Sequence, residues 1–208
     1  MRRTRPAPPP RRSRHLPWRR ASFIALDLET TGLDLGHDRI VSFGAVPVTG
    51  GVVRLGEATH DLVDPGDRGP SRTSVTIHRI RPVDLVGAMS MHEAAGELAA
   101  LLDRRYLLAW YARVETSFLG SLFAIADRSW KRRTIDVRDL LVALEGASTA
   151  RMPLTAAAGA CGVPVADPHH ALDDALVTAQ LFVVLASRLE ARDGRATVGE
   201  LLRLPRTA

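Results

Sequence analysis

The run Phe23–Leu33, FIALDLETTGL, reads as a buried β-strand whose apolar sequence is broken by two carboxylates, Asp27 and Glu29. Strand side chains alternate faces, so Phe23, Ala25, Asp27 and Glu29 share one side, while Ile24, Leu26 and Leu28 line the other and can bury against helices. Two acids one strand period apart have Cα atoms about 6.5–7 Å apart, so both heads can reach a single point. Like charges placed there are unfavourable unless something positive sits between them. A divalent metal is the simplest answer. Thr30-Thr31-Gly32 then ends the strand in a tight turn, where backbone amides and hydroxyls can meet a ligand. A bare D-x-E is more often a solvated strand edge. The hydrophobic strand around this one and a second cluster far downstream argue against that.

Further along, Arg39–Val48 and Val52–Leu62 are strand-like and joined through Thr49-Gly50-Gly51, a hairpin signal. The first three strands therefore read as an antiparallel meander. Ser74–Val86 reads as loop and short helix, and Met91–Leu102 has helical spacing at Ala94, Leu98, Leu101 and Leu102. Short strands are expected at Tyr106–Tyr111 and Thr134–Val137, with helices over Val114–Ala126, from Arg138 to Leu144, and over Leu154–Cys161. A last strong helix starts after Pro168 and carries Leu172, Leu176, Ala179, Val183 and Ala186 on one face. Antiparallel strands followed by alternating strand and helix imply an α/β fold with a mixed sheet and helices on its faces.

The second cluster is Pro168-His169-His170-Ala171-Leu172-Asp173-Asp174-Ala175. Pro168 places the helix start just beyond it, leaving His169 on the preceding loop and Asp174 in the first turns. Were both helical, a spacing of five would set them about 140° apart, so the loop position of His169 is what lets them converge. Adjacent helical residues diverge by about 100°, so only one of Asp173 and Asp174 can face the sheet, and Asp173 is the decoy.

Together the two clusters resemble the DEDD-type (DnaQ-like) 3′–5′ exonucleases, in the subclass with a histidine in the third motif, the family of the DNA polymerase III epsilon proofreading subunit. The resemblance runs from about Ser22 to Leu189. Asp27, Glu29, Thr30, Thr31 and Gly32 match the first motif, and His169, Ala171, Leu172, Asp174 and Ala175 match the third. Ile77-His78-Arg79-Ile80 and Ile135-Asp136 also sit where the family has equivalents. The second motif departs: Trp110-Tyr111-Ala112-Arg113-Val114-Glu115 stands where the family reads His-Asn-Ala-x-Phe-Asp. Magnesium demands near-octahedral geometry at about 2.0–2.1 Å, so the extra methylene of Glu115 must be absorbed by rotamer or by a water. Trp110 and Tyr111 are read as core aromatics or as stacking surfaces for a base.

The resemblance implies a ribonuclease H-like mixed five-stranded sheet in the order 3-2-1-4-5, flanked by helices. It implies metal-assisted hydrolysis of phosphodiester bonds at nucleic-acid 3′ ends, DNA ahead of RNA, releasing nucleoside monophosphates. Asp27, Glu29, Glu115 and Asp174 would hold two Mg2+ or Mn2+ ions, with His169 as general base. Thr30, Thr31, Gly32 and Leu33 would lie against the terminal nucleotide. Expected partners are single-stranded 3′ ends and a DNA polymerase, in replication or repair. A catalytically weak or inactive module that binds single strands or a polymerase is the alternative.

Composition adds a tail. Of 28 basic residues, eight arginines fall within residues 1–20, where there is no acid. The remaining 20 basic residues face 23 acids, a net −3, although the whole chain is +5. Residues 1–20, rich in Pro and Arg, are expected to be disordered or polyproline-like, and either to hold phosphate backbones without reading sequence or to be a solvated extension. They lack the apolar stretch of a secretory signal. The exonuclease domain is then expected over residues 21–192, with a C-terminal extension over 193–208. No apolar run reaches membrane-spanning length, a cytoplasmic location is expected, and the single cysteine, Cys161, suits a small core residue.

Overall fold

A computed structural model describes residues 14–123 and 128–206. Residues 1–13 of the tail and Ala124–Ala126 of the expected helix lie outside the described residues.

The sheet grows outward from the first strand. β1 (Ser22–Thr30) pairs antiparallel with β2 (Ile40–Thr49) along its length. Gly50 and Gly51, at φ +69° and +74°, make the two-residue turn into β3 (Val52–Val53), a conformation that costs glycine little. The expected strand Val52–Leu62 does not run through. It breaks into β3, a 3₁₀ turn at Leu55–Glu57, and β4 (Thr59–Asp64), which pairs with Ser42–Ala45 of β2. Pro47 explains the break. Its carbonyl accepts from the Arg54 N–H at 2.8 Å, but it has no N–H to return the bond, and the chain leaves the ladder there.

β5 (Met89–Ser90) adds to β4 in parallel, while β6 (Tyr106–Ala109) and β7 (Thr134–Asp136) extend the other side in parallel. The order is β5-β4-β2-β1-β6-β7, with β3 on β2. The sheet thus has seven strands rather than five. The two extra ones are only two residues long, and without them the order is the expected 3-2-1-4-5.

The alternation along β1 sorts the core. Ile24, Leu26 and Leu28 bury against α2 (Met91–Leu102) and α3 (Arg113–Leu122), with Leu98, Phe118 and Leu119. Phe23 and Ala25 bury on the other face with α4 (Val137–Glu145), α5 (Leu154–Cys161) and α6 (Ala171–Asp193), including Leu140, Ala158 and Phe182. Ser90 and Glu93 form a reciprocal cap that starts α2. The short helices α1 (Arg72–His78) and α7 (Val198–Leu201) complete the described fold.

Both ends of the described chain belong to the fold, against the boundaries expected at 20/21 and 192/193. Trp18 is fully buried, its ring edge-on to Phe182 at 5.6 Å, and Pro17 bridges Thr197. Ala196, Val198 and Leu201 are buried in the same core. Composition placed Trp18 with the arginines; packing places it with α6 and α7. Among the described residues no helix is long and apolar enough to cross a membrane.

Candidate active site

Asp27 and Glu29 continue the Phe23–Ala25 face of β1 towards α6, as strand alternation requires. Three local features bring α6 to them. Gly44 is the register partner of Asp27, and a Cβ there would lie 2.2 Å from the Ala171 carbonyl oxygen, so only glycine lets the first turn of α6 settle on the sheet at this point. The β1–β2 register shifts between Glu29 and Thr30, a bulge that re-aims the strand end beside Glu29. His169 takes φ +63°, and its backbone N–H donates to Asp174 Oδ2 at 3.0 Å, fixing the loop to the helix start.

As a result, ligand oxygens of Asp27, Glu29 and Asp174 all lie within 4.8 Å of one another. Asp173 points elsewhere: its carboxylate lies 3.0 Å from Nδ1 of His170. Glu115 arrives from the other side. β1 pairs with β6 only through Ala25, so beyond that point the strands part and the first turn of α3 carries Glu115 in. It is buried, its Oε2 has no hydrogen-bond partner among the described residues, and it lies outside the tight trio.

The electrostatics of the four acids agree. Burial, then the charges of Glu115, Glu29 and Asp174, push Asp27 well above the ordinary carboxylate range. Burial, then Asp174, raises Glu29 to about 8. Burial is also the main cause that raises Glu115 and Asp174, the latter pulled partly back by the His169 N–H. Acids packed so closely call for a cation. Three oxygens around one point and a buried fourth carboxylate with one oxygen unpartnered among the described residues are a donor set suited to hard divalent metals. The residues present therefore fit such an ion.

The expected nucleotide-binding turn is built tightly. The Thr30 hydroxyl donates to the Gly32 carbonyl at 2.7 Å, and the Thr31 hydroxyl donates to Asp38 Oδ1 at 2.7 Å while accepting from Arg39 N–H. A Cβ on Gly32 would strike the Asp38 carboxylate at 2.5 Å. The two hydroxyls shape the turn, whereas Leu33 stands 76% exposed beyond it. His169 is exposed at the rim. Trp110 packs against the core, and Tyr111, at φ +60°, is 37% exposed.

Five residues outside the expected site border it: Ser42, His60, His78, His170 and Asp136. His60, His78, His169 and His170 line one cavity of about 200 Å3 with Glu29 and Ser42. His60 Nε2 lies 3.0 Å from Ser42 Oγ, and its ring is 4.6 Å from that of His170. Burial lowers the pKa of both His60 and His78. Asp136, raised chiefly by burial, faces Glu115 while accepting from the N–H groups of Tyr111, Ala112 and Arg138. Only the segment around His78 and the pair Ile135-Asp136 carried a sequence signal, through the resemblance. His60 and Ser42 carried no sequence signal, since they meet diagonally across β2 and β4.

The chain is similar to several known proteins. E. coli Exonuclease I, solved in complex with a dT13 oligonucleotide, superimposes with a TM-score of 0.71 at 19% identity, over 84% of this chain and 42% of that one. The PolC-type DNA polymerase III of Thermotoga maritima is 33% identical over 164 residues, 78% of this chain and 12% of the relative. The chain therefore spans only a small part of that relative. The DNA polymerase III subunit epsilon of Aquifex aeolicus is 26% identical over 184 residues, 88% of this chain and 89% of the relative. The Exonuclease (RNase T) family model matches residues 24–182, from the strand that carries Asp27 into the helix that carries Asp174, and on that match the chain belongs to the exonuclease family.

Proposed function

We propose that this site removes nucleoside monophosphates from the 3′ end of single-stranded nucleic acid, DNA ahead of RNA, using two Mg2+ or Mn2+ ions. The observation that carries the reading is the convergence of Asp27, Glu29 and Asp174 within 4.8 Å, with the buried Glu115 carboxylate, its Oε2 unpartnered among the described residues, beside them. Asp27, Glu29, Asp174 and Glu115 would hold the ions. Once bound, they supply positive charge to the phosphodiester oxygens and an acidified water. His169, at the rim on a loop tied to Asp174, takes the proton of the attacking water as general base. Thr30, Thr31 and Gly32 fix the turn, and Leu33 offers an apolar surface to the terminal nucleotide. The likeness to a polymerase subunit supports a DNA polymerase as partner.

The test is digestion of 5′-labelled single-stranded DNA and RNA of matched sequence with each metal. Progressive shortening from the 3′ end is expected, with DNA the faster substrate. Absence of cleavage with either metal overturns the proposal. The position of Glu115 outside the tight trio favours a second reading, a weak or inactive single-strand-binding module. Binding without cleavage, with cleavage appearing in Glu115→Asp, would support that one.

A further inference from the structure

A cavity of about 380 Å3 lies beside the first turn of α3, lined by Tyr111, Ala112, Arg113 and Thr116 but not by Glu115. Its other walls include Lys131, the edge strand β7 with Asp136, Arg138, Asp139 and Arg206. Of the two acids in this lining, Asp136 is engaged by the N–H groups of Tyr111, Ala112 and Arg138. The Arg138 guanidinium covers the Tyr111 ring at 4.3 Å and donates to the Ala150 carbonyl. Arg113 and Arg206 form no ion pair among the described residues. Lys131 Nζ lies 5.6 Å over the Trp130 ring and against α3 at Gly120, where a Cβ would come within 2.9 Å of it. A bare glycine thus leaves the ammonium its place. Tyr111 is held at φ +60°, a conformation rare outside glycine that marks constrained sites.

We propose that this cavity is a phosphodiester subsite, binding the backbone of the strand upstream of the scissile bond through Arg113, Lys131 and Arg206. The proposal rests on the nuclease reading above and deepens it. Helix α3 connects the two places: Glu115 is on its catalytic side, and Ala112, Arg113 and Thr116 are on the cavity side. A strand whose last phosphate lies at the carboxylates can therefore pass its earlier phosphates along Arg113, Lys131 and Arg206. Contacts of this kind position a strand without reading its bases.

Lys131 is the single lysine of the chain, so acylation with an amine-reactive ester marks it and the N-terminus alone. In EDTA, where no strand is consumed, a saturating oligothymidylate should slow acylation of Lys131. Inorganic phosphate at the same phosphate concentration should not. Protection by both would point to a free-anion site and overturn the strand subsite, and so would an unchanged rate with the oligonucleotide bound. In the variant Arg113→Gln/Lys131→Gln, KM for the oligonucleotide should rise several-fold with kcat nearly constant. The salt slope of strand binding should fall by about 1.4, at roughly 0.7 per lost phosphate contact. Thymidine 5′-(4-nitrophenyl phosphate) has no upstream phosphate and serves as control. An equal loss on that ester would mean a structural role and overturn the subsite. Failure of the wild type to cleave either substrate would count against the nuclease reading instead, since Lys131 protection is read without catalysis.

Discussion

Asp27 is where burial and charge conflict most sharply, and its replacement should separate function from stability. Asp27→Asn removes a ligand and should abolish hydrolysis. It also removes a carboxylate that burial, then Glu115, Glu29 and Asp174, make costly to ionise, so the metal-free protein should gain stability, read as a higher Tm. Lost activity with a lower metal-free Tm would contradict the strain. His169→Ala should slow single-turnover cleavage by about 10²–10⁴-fold and leave metal affinity largely intact, because the Asp174 contact uses the backbone N–H. Full activity in this variant would remove His169 from the mechanism. These residues were legible in the sequence because each violates a local rule: acids inside an apolar strand, a histidine before a helix start. His60 and Ser42 violate none. They meet across β2 and β4, and only the pairing register, with Gly44 opposite His60 and Ser42 opposite Leu62, brings them into one cavity.

At the scale of elements, the sheet followed from alternation, since the strands that bury both faces read as long apolar runs. The failure at Val52–Leu62 has a single cause in Pro47, whose missing N–H interrupts the return strand; the residue was visible, but the direction its amide would face depends on register. Trp18 was misplaced for the opposite reason. Local composition is polar and Pro-rich, and its burial depends on the distant residues Phe182, Glu190 and Ala196 as well as on Arg19 over its ring. The most consequential contact between elements is that of α6 on β2. Gly44→Ala forces a methyl group into the Ala171 backbone, and neither backbone can yield cheaply. Overpacking of this kind costs about 1–3 kcal/mol. Because the displaced helix start carries Asp174 and the His169 loop, activity should fall further than stability. Measuring Tm and cleavage rate on the same preparation decides it: a normal rate in a folded Gly44→Ala protein would show that the close approach is not what assembles the site.

For the whole molecule, the distribution of charge sets two responses. Deleting residues 1–13 removes five arginines without touching Trp18 and should flatten the salt dependence of strand binding while leaving the fold intact. Deleting residues 1–20 takes Trp18 as well and should cost about 3–5 kcal/mol, the usual penalty for losing a buried tryptophan side chain. Equal Tm values for the two truncations would refute the anchoring role. The second response is to pH. Asp27, Glu29, Glu115, Asp136 and Asp174 all have raised pKa values in the fold, Glu29 to about 8, so the folded protein holds protons that the unfolded chain has released. Metal-free stability contributed by these acids is therefore present at low pH and is lost as pH rises through their folded values. His60 and His78 act in the other direction, because lowered pKa values penalise the fold where the unfolded chain takes up their protons, below about pH 6.5. Between that pH and about 8 the histidines no longer contribute, and the carboxylates decide the sign. In EDTA, Tm should fall across this window. Added Mg2+ or Mn2+ should raise Tm, and raise it more at the alkaline end, because the ions bind carboxylates already stripped of protons and offset their repulsion. A Tm in EDTA that is flat or rising from pH 6.5 to 8, or a metal-induced gain that shrinks with pH, would show that the four acids do not act together as the metal site.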